Sequence, residues 1–286
     1  MLEKRSLFVV TGVPKSGTTW AHLLCDAHPE VRCYGEDDFN QFLPQIADAM
    51  NQYNRSSADR NRHLPSGKYA RFSEGDLERI ASVCIAIMLT EGGIPPVTKA
   101  LGTKFNDMLT NNTRAYGEIF RNARIIHVLR DPRDALVSVF HHNHRVNPEF
   151  ANKKWPRLLD VINDIGAVYA ESIRNGLAIG DDHTGNYHEV RYEDLSRDPQ
   201  RIARDMFEFL GVDTTGPVIK ECCRATTFEK LSGGRRRGEE DRSSFMRKGS
   251  VGDWRQAFDD DCLAALEKTG IRDIVIELGY DFPNSG

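Results

Sequence analysis

Residues 7–20 read Leu7-Phe8-Val9-Val10-Thr11-Gly12-Val13-Pro14-Lys15-Ser16-Gly17-Thr18-Thr19-Trp20. The first four are apolar and strand-forming, and Gly12 ends the run. From Thr18 to Ala27 the chain reads as a helix, with two hydroxyl residues at its start and Trp20, Leu23 and Leu24 on one side. Strand, glycine-containing turn and helix together open an α/β fold. The same turn is an anion cradle. Successive backbone N–H groups point into such a loop, and the helix start adds a partial positive charge of about half a unit.

Gly12 and Gly17 keep the spacing of the nucleotide loop Gly-x-x-x-x-Gly-Lys-Ser/Thr, but Thr18 stands where that motif has its lysine. A nucleotide kinase needs that lysine on the β- and γ-phosphates and Mg²⁺ on the next hydroxyl. Here the lysine is Lys15, inside the loop. The loop therefore suits a phosphate-like group and is wrong for ATP·Mg²⁺.

Outward from the loop, Arg124 to Leu129 is an unbroken apolar run that suits a central parallel strand. Asp131-Pro132 stops it, and Asp134 to His142 reads as the next helix. Asp76 to Leu89 and Leu158 to Ile179 carry helical spacing. Tyr187 to Tyr192 reads as a strand, followed by a helix from Asp198-Pro199 to Leu210, and Cys262 to Leu278 as a closing helix. Residues 51–75 are polar and read as a surface excursion. Arg235 to Ser244 is charged and glycine-rich and reads as a mobile loop, either a lid or a plain charged surface segment. The β/α alternation predicts one doubly wound domain over residues 1–286, a central parallel sheet flanked by helices.

The 286 residues are 40% hydrophobic and 28% charged, ordinary for a globular chain. Lys plus Arg is 38 and Asp plus Glu 42, a net charge of −4. That balance argues against a dedicated nucleic-acid binder and leaves room for a local basic pocket. No apolar stretch approaches the ~20 residues of a membrane helix. Leu7 to Val10, behind Lys4 and Arg5, is too short for the apolar region of a signal peptide, about 7–15 residues. The six cysteines form no Cys-x-x-Cys pair. These features lead us to expect a cytoplasmic protein with no membrane or nucleic-acid partner and no metal.

Three segments together resemble the sulfotransferases that use 3′-phosphoadenosine 5′-phosphosulfate (PAPS). Pro14 to Trp20 looks like that family's 5′-phosphosulfate loop. Val128-Leu129-Arg130-Asp131-Pro132-Arg133-Asp134 with Ser138 resembles its 3′-phosphate strand and helix. Phe245-Met246-Arg247-Lys248-Gly249-Ser250-Val251-Gly252-Asp253-Trp254 resembles its C-terminal Arg-Lys-Gly-x-x-Gly-Asp-Trp segment. They stand in the family's order and span residues 8 to about 258.

The resemblance implies sulfuryl transfer from PAPS, leaving 3′-phosphoadenosine 5′-phosphate (PAP). It assigns Lys15, Ser16, Gly17, Thr18 and Thr19 to the 5′-phosphate, and Arg130, Ser138, Arg247, Lys248 and Gly249 to the 3′-phosphate. It assigns Trp20, Tyr192, Thr226 and Phe228 to the adenine. Arginine suits bidentate phosphate contact, and aromatic faces stack bases. Trp254, and equally Phe228, can be core packing, and Arg130 can be a surface ion pair with Asp131 or Asp134. An acceptor-side insertion over residues 40–100 and a mobile loop over 233–246 complete the expected layout. The family's C-terminal dimer pattern is absent after Trp254, and the sequence leaves the oligomeric state open.

Lys15 is the expected cation on the leaving oxygen, and Lys104 is expected on the sulfuryl group. The acceptor's proton needs a base. Many cytosolic members have a His after Lys-Thr; here Gly102-Thr103-Lys104-Phe105-Asn106 places Asn106 there, and Asn is no base. Carbohydrate-directed and many bacterial members have a Glu shortly after the first helix, where Glu36 stands with Asp37 and Asp38 behind it. A solvated acidic turn is the alternative there. His127 reads as core. His141, His142 and His144 follow the 3′-phosphate helix; their spacing is one a metal could use, helix-end histidines are more commonly solvated or complement the dipole, and His142 is the one that could approach the acceptor. The expected acceptor is a small molecule or carbohydrate bearing a hydroxyl, less readily an amine. A P-loop kinase or NTPase, or a non-catalytic PAPS- or PAP-binding protein, is the alternative.

Overall fold

The computed structural model describes residues 5–36, 39–63, 69–73, 75–90, 92–105, 122–182 and 185–282. Five strands form one parallel sheet: β1 (Ser6–Thr11), β2 (Val31–Glu36), β3 (Ala100–Lys104), β4 (Arg124–Leu129) and β5 (Tyr187–Arg191), in the order β2-β3-β1-β4-β5. After β1 the chain runs to one side of the sheet, and from β3 it crosses to β4 on the other. The C-terminal ends of β1 and β4 therefore flank the point where the strand order reverses, the place where open α/β sheets bind ligands.

The apolar strands earn their central places by burial on both faces. Phe8, Val10, Ile126 and Val128 pack against α1 (Thr18–Asp26) and against Met206 and Phe207. Val9 and Ile125 face the other way, onto Ala81, Ile85 and Leu89 of α3 (Asp76–Thr90). Fully burying each such side chain contributes about 1.5–3 kcal/mol. Between β2 and β3 the chain also forms α2 (Phe39–His63). The polar run from residue 51 is thus helix as far as His63, because its Asn, Arg and Ser residues sit mostly on the solvent side. The segment 40–100 also carries part of the core through α3.

After β4 come α4 (Pro132–Val146), α5 (Pro148–Lys154) and α6 (Leu158–Asp182). Helix α4 begins two residues before the sequence expectation. Asp131 caps it, accepting from the Arg133 N–H at 3.0 Å, and Pro132 takes the first helical position, where its missing N–H is harmless. Strand β5 ends at Arg191, because Tyr192 opens the short α7 (Tyr192–Arg197). Then follow α8 (Pro199–Leu210), α9 (Gly216–Ala225) and α10 (Phe228–Leu231). The C-terminal region holds α11 (Trp254–Ala257), α12 (Asp260–Lys268) and α13 (Ile271–Glu277). The expected single helix over 262–278 is two, broken at Thr269-Gly270. Among the described residues no helix is long and apolar enough to cross a membrane.

Candidate active site

The loop from Gly12 to Gly17 leaves β1 and turns sharply, with the Ser16 N–H donating to the Val13 carbonyl at 3.1 Å. Lys15 is the one non-glycine residue with a positive φ, +66°, among the described residues. A long side chain held in that left-handed region costs of order 1–3 kcal/mol and marks functional geometry. Gly17 is required twice over. Its φ is +109°, and a Cβ there would meet the Tyr192 ring at 2.6 Å. The first turn of α1 carries no acidic residue, which keeps its N–H groups available to an anion.

A cavity of about 290 Å³ opens at this point. Lys15, Gly17, Thr18, Thr19 and Trp20 line it from the loop and α1. Lys104 and Arg130 line it from the ends of β3 and β4, and Ser138 and His142 from α4. Tyr192, Thr226 and Phe228 form one end, and Arg247, Lys248 and Gly249 cover it. Residues assigned from three distant segments thus converge on one space. Ser16 is fully buried behind this wall. Glu36 is the last residue of β2, its backbone in register with Lys104. Asp37, Asp38 and Asn106 lie outside the described residues.

Lys15, Lys104, Arg130, Arg237, Arg247 and Lys248 bring six cations to the cavity, and among the described lining residues there is no carboxylate. In a chain of net charge −4 this is a strongly focused positive field. Arg130 donates to the Lys15 carbonyl at 3.1 Å and the Ser250 carbonyl at 3.2 Å, and its guanidinium lies 4.2 Å from the centre of the Tyr192 ring. Its approach to Asp134 is 3.9 Å, whereas Asp131 is held by Arg133. The Lys104 ammonium donates to Thr19 Oγ1 at 3.3 Å.

Buried Asp134 accepts from the Gly252 and Trp254 N–H groups at 2.6 and 2.9 Å, tying α4 to the C-terminal segment. Burial pushes its carboxyl above the ordinary value although Arg130 pulls the other way. Trp254 is packing: it is buried, with the Arg133 guanidinium 3.7 Å from its ring centre. Arg247 and Lys248 both pair with Asp253. Burial pushes the Asp253 carboxyl up, and those two contacts outweigh it, leaving it below the usual range. At Gly249, φ is +65° and a Cβ would strike the Phe228 ring at 2.5 Å, so the chain can cross Phe228 here only as glycine. Residues 233–246 form no helix or strand. Arg235 organises them, donating to the carbonyls of Glu239, Met246 and Arg247 at 3.0, 2.5 and 2.8 Å.

Arg237, Phe245, Met246 and Ser250 also line the cavity, and the sequence reading gave none of them a site role. Phe245 and Met246 adjoin the Arg-Lys-Gly segment, a usable signal. Arg237 sits in a run balanced by Glu239 and Glu240, which hides it. Exposed at the cavity's edge, it lies 4.5 Å from the Trp20 ring centre and donates to the Gly249 carbonyl at 2.9 Å. Among the described residues, no group of three His, Cys, Asp or Glu side chains could hold a metal ion. His127 is core as expected: fully buried, bonded to the Tyr187 hydroxyl at 2.5 Å, and held neutral by burial with its pKa pushed down to about 3.

A glycine-containing turn on β1 and a basic cavity at the reversal of a parallel sheet form a site suited to an anionic ligand. The chain matches the sulfotransferase domain model over residues 5–270, and it belongs to that family. It is similar to human Sulfotransferase 1C2, 27% identical over 160 residues, covering 48% of this chain and 50% of that protein. It is also similar to protein-tyrosine sulfotransferase A of Caenorhabditis elegans, 29% identical over 217 residues, covering 73% and 51%. The chain spans about half the length of these curated relatives. A mouse sulfotransferase complexed with PAP shares the fold, with a TM-score of 0.58 at 18% identity, covering 95% of this chain and 84% of that one.

Proposed function

We propose that this chain is a PAPS-dependent sulfotransferase acting on a hydroxyl of a small-molecule or carbohydrate acceptor. The observation that carries the reading is a set of buried polar atoms around the cationic cavity. Ser16 Oγ, Arg130 Nε and Ser250 Oγ are buried with no hydrogen-bond partner in the chain. Buried polar groups are rarely left unpaired, so these three fit a ligand rich in acceptor oxygens. Two anionic groups match two basic cradles, and the aromatic end supplies a stacking surface.

PAPS would supply the sulfuryl group and the phosphate leaving group. The loop N–H groups with Thr18 and Thr19 hold the 5′-phosphate in this reading, and Arg130, Ser138, Arg247, Lys248 and the Gly249 backbone hold the 3′-phosphate. Trp20, Tyr192, Thr226 and Phe228 seat the adenine. Lys15 stabilises charge growing on the leaving oxygen, and Lys104 orients the sulfuryl oxygens. The basic loop supplies the charge that a kinase takes from Mg²⁺, so the transfer runs without metal. The sequence offers Glu36 for the acceptor's proton. One relative is named for protein tyrosine, so the acceptor panel includes phenols beside sugars and amines. None of the six cysteines is in a disulfide.

Thermal-shift titration with PAP, 5′-AMP and ATP·Mg²⁺ tests the reading. A ligand at 100 times its Kd stabilises the fold by about 2.7 kcal/mol. Stabilisation by PAP without metal, well above that by 5′-AMP, is the expected outcome. A Mg²⁺-dependent ATP shift with none for PAP would make the loop a divergent NTPase loop. PAP binding without transfer to any acceptor would leave a nucleotide-binding protein.

A further inference from the structure

Among His141, His142 and His144, only His142 reaches the large cavity. It lies one helical turn beyond Ser138, on the same face of α4. His144 is turned back onto its own helix, its Nδ1 2.9 Å from the Phe140 carbonyl. His141 borders a small recess beside Arg242, and its pKa is pushed down to about 4 by burial and then by Arg247 and Arg242. His142 Nδ1 lies 3.3 Å from the Lys15 ammonium and 3.3 Å from an Arg145 guanidinium nitrogen. Lysine and arginine only donate, so Nδ1 is the acceptor of both contacts and its lone pair faces Lys15. The edge of the Phe245 ring, 5.9 Å from the imidazole by centroids, packs against it, and the same ring lies 4.3 Å beneath the Lys15 ammonium.

We infer that His142 is the general base of this enzyme, kept engaged by Lys15 until nucleotide binds. The inference rests on the sulfotransferase reading and names a residue for the role left open by Asn106. A phosphosulfate draws the Lys15 ammonium onto its own oxygens and so away from Nδ1. Nδ1 then keeps the Arg145 contact at 3.3 Å, which the acceptor hydroxyl displaces as it docks against the lone pair. As the hydroxyl oxygen attacks, its O–H bond breaks and the proton passes to Nδ1. The O–H pair completes the new O–S bond, and the S–O bond to phosphate breaks with its pair on the leaving oxygen, beside Lys15. Among the described groups near the imidazole are Lys15 and Arg145, with Arg242 and Arg247 beyond them, both paired with Glu240. Because Lys15 engages Nδ1 until nucleotide draws it off, the base is effective only in the loaded site.

The test uses the full chain with ¹⁵N-labelled histidine. PAP is expected to move the His142 Nδ1 resonance, assigned by its loss in His142→Asn, and Lys15→Met is expected to abolish that response. His142→Ala is expected to keep PAP affinity within about threefold and to lower transfer to the best phenol or sugar of a panel by about 10²–10⁴-fold, the range of a lost general base. The low-pH limb of kcat/KM should disappear with it. An Nδ1 resonance indifferent to saturating PAP overturns the inference, and so does His142→Ala retaining more than a tenth of the transfer. Loss of transfer in Glu36→Gln alone would give the role to Glu36. Where no panel member is an acceptor, the resonance decides. Absence of any PAP stabilisation is a different failure, that of the sulfotransferase reading itself.

Discussion

The two walls of the cavity are built by different means. The first wall, residues 12–20 with Arg130 and Tyr192, hangs from the C-terminal ends of parallel strands, and backbone ladders between buried strands place it. The second wall, residues 233–254, has no ladder until α11. Two backbone bonds cross it, from the Gly238 and Asp241 N–H groups to the Lys248 and Arg247 carbonyls at 2.8 and 2.9 Å, and side-chain donors on backbone carbonyls hold the rest: Arg235 on three carbonyls, Arg237 on Gly249, Arg130 on Ser250. Asp134 accepts two of its N–H groups from below. A wall held by ladders inherits the rigidity of the core. A wall held by a few charged side chains can be loosened at single residues, and this difference can be tested from either side.

The largest effect is expected at Asp134, where the walls meet. Asp134→Ala strips a buried acceptor from two N–H groups and leaves Arg130 without its nearby carboxylate, a class of change that costs about 3–5 kcal/mol. Chemical denaturation should show that loss, and PAP should no longer stabilise what remains folded. A loss below about 1 kcal/mol would mean the walls are joined elsewhere. Within the first wall, Lys15→Ala should lower turnover by about 10²–10³-fold, the magnitude of removing one preorganised transition-state donor. The fold should be little changed, because alanine keeps the Cβ that lysine already carries at this left-handed position and so adds no new backbone strain. Single-turnover kinetics beside PAP titration would separate the two.

Within the second wall, Arg235→Ala should weaken PAP about tenfold, equivalent to about 1.4 kcal/mol. Midpoint temperature should hardly move, and hydrogen exchange should rise over residues 233–250 alone. Exchange spreading into β1 or β4 would erase the distinction between the walls. The smallest effect per step is beneath the first wall, at His127. Its folded pKa is depressed to about 3, below an ordinary His, so the unfolded chain binds the extra proton first. Stability from this group is complete above about pH 6.5 and falls as pH drops toward 3, by up to about 1.4 kcal/mol per unit. Urea melts between pH 7 and 5 should lose that slope in His127→Gln.

The same contrast decides what could be read in advance. Val9, Val10 and Ile125 to Val128 announced their strands, because burial on both faces demands continuous apolar residues. Strands β2 and β3 gave weaker signals, since Val31–Glu36 and Ala100–Lys104 mix small, polar and charged residues. The phosphate loop was legible because its chemistry is local: two glycines, a lysine and two threonines within eight residues. That Arg247-Lys248-Gly249 shares a cavity with Arg130 was legible only by resemblance, since nothing in those three residues says that they fold toward it. The polar stretch after residue 51 read as a surface excursion, and as far as His63 it is the mostly exposed helix α2, because a solvent-facing helix and a loop share one composition.

The sequence alone determined the parallel α/β architecture and the tight glycine-containing turn between β1 and α1, because backbone geometry and burial act over a few residues. Tertiary structure alone decided that Arg237 of three adjacent arginines borders the cavity, that Asp134 joins the two walls, and that Lys15 meets His142 from 127 positions away. Those choices depend on which strand ends lie side by side, and the sheet order that brings β1 and β4 together is set by packing across the whole chain.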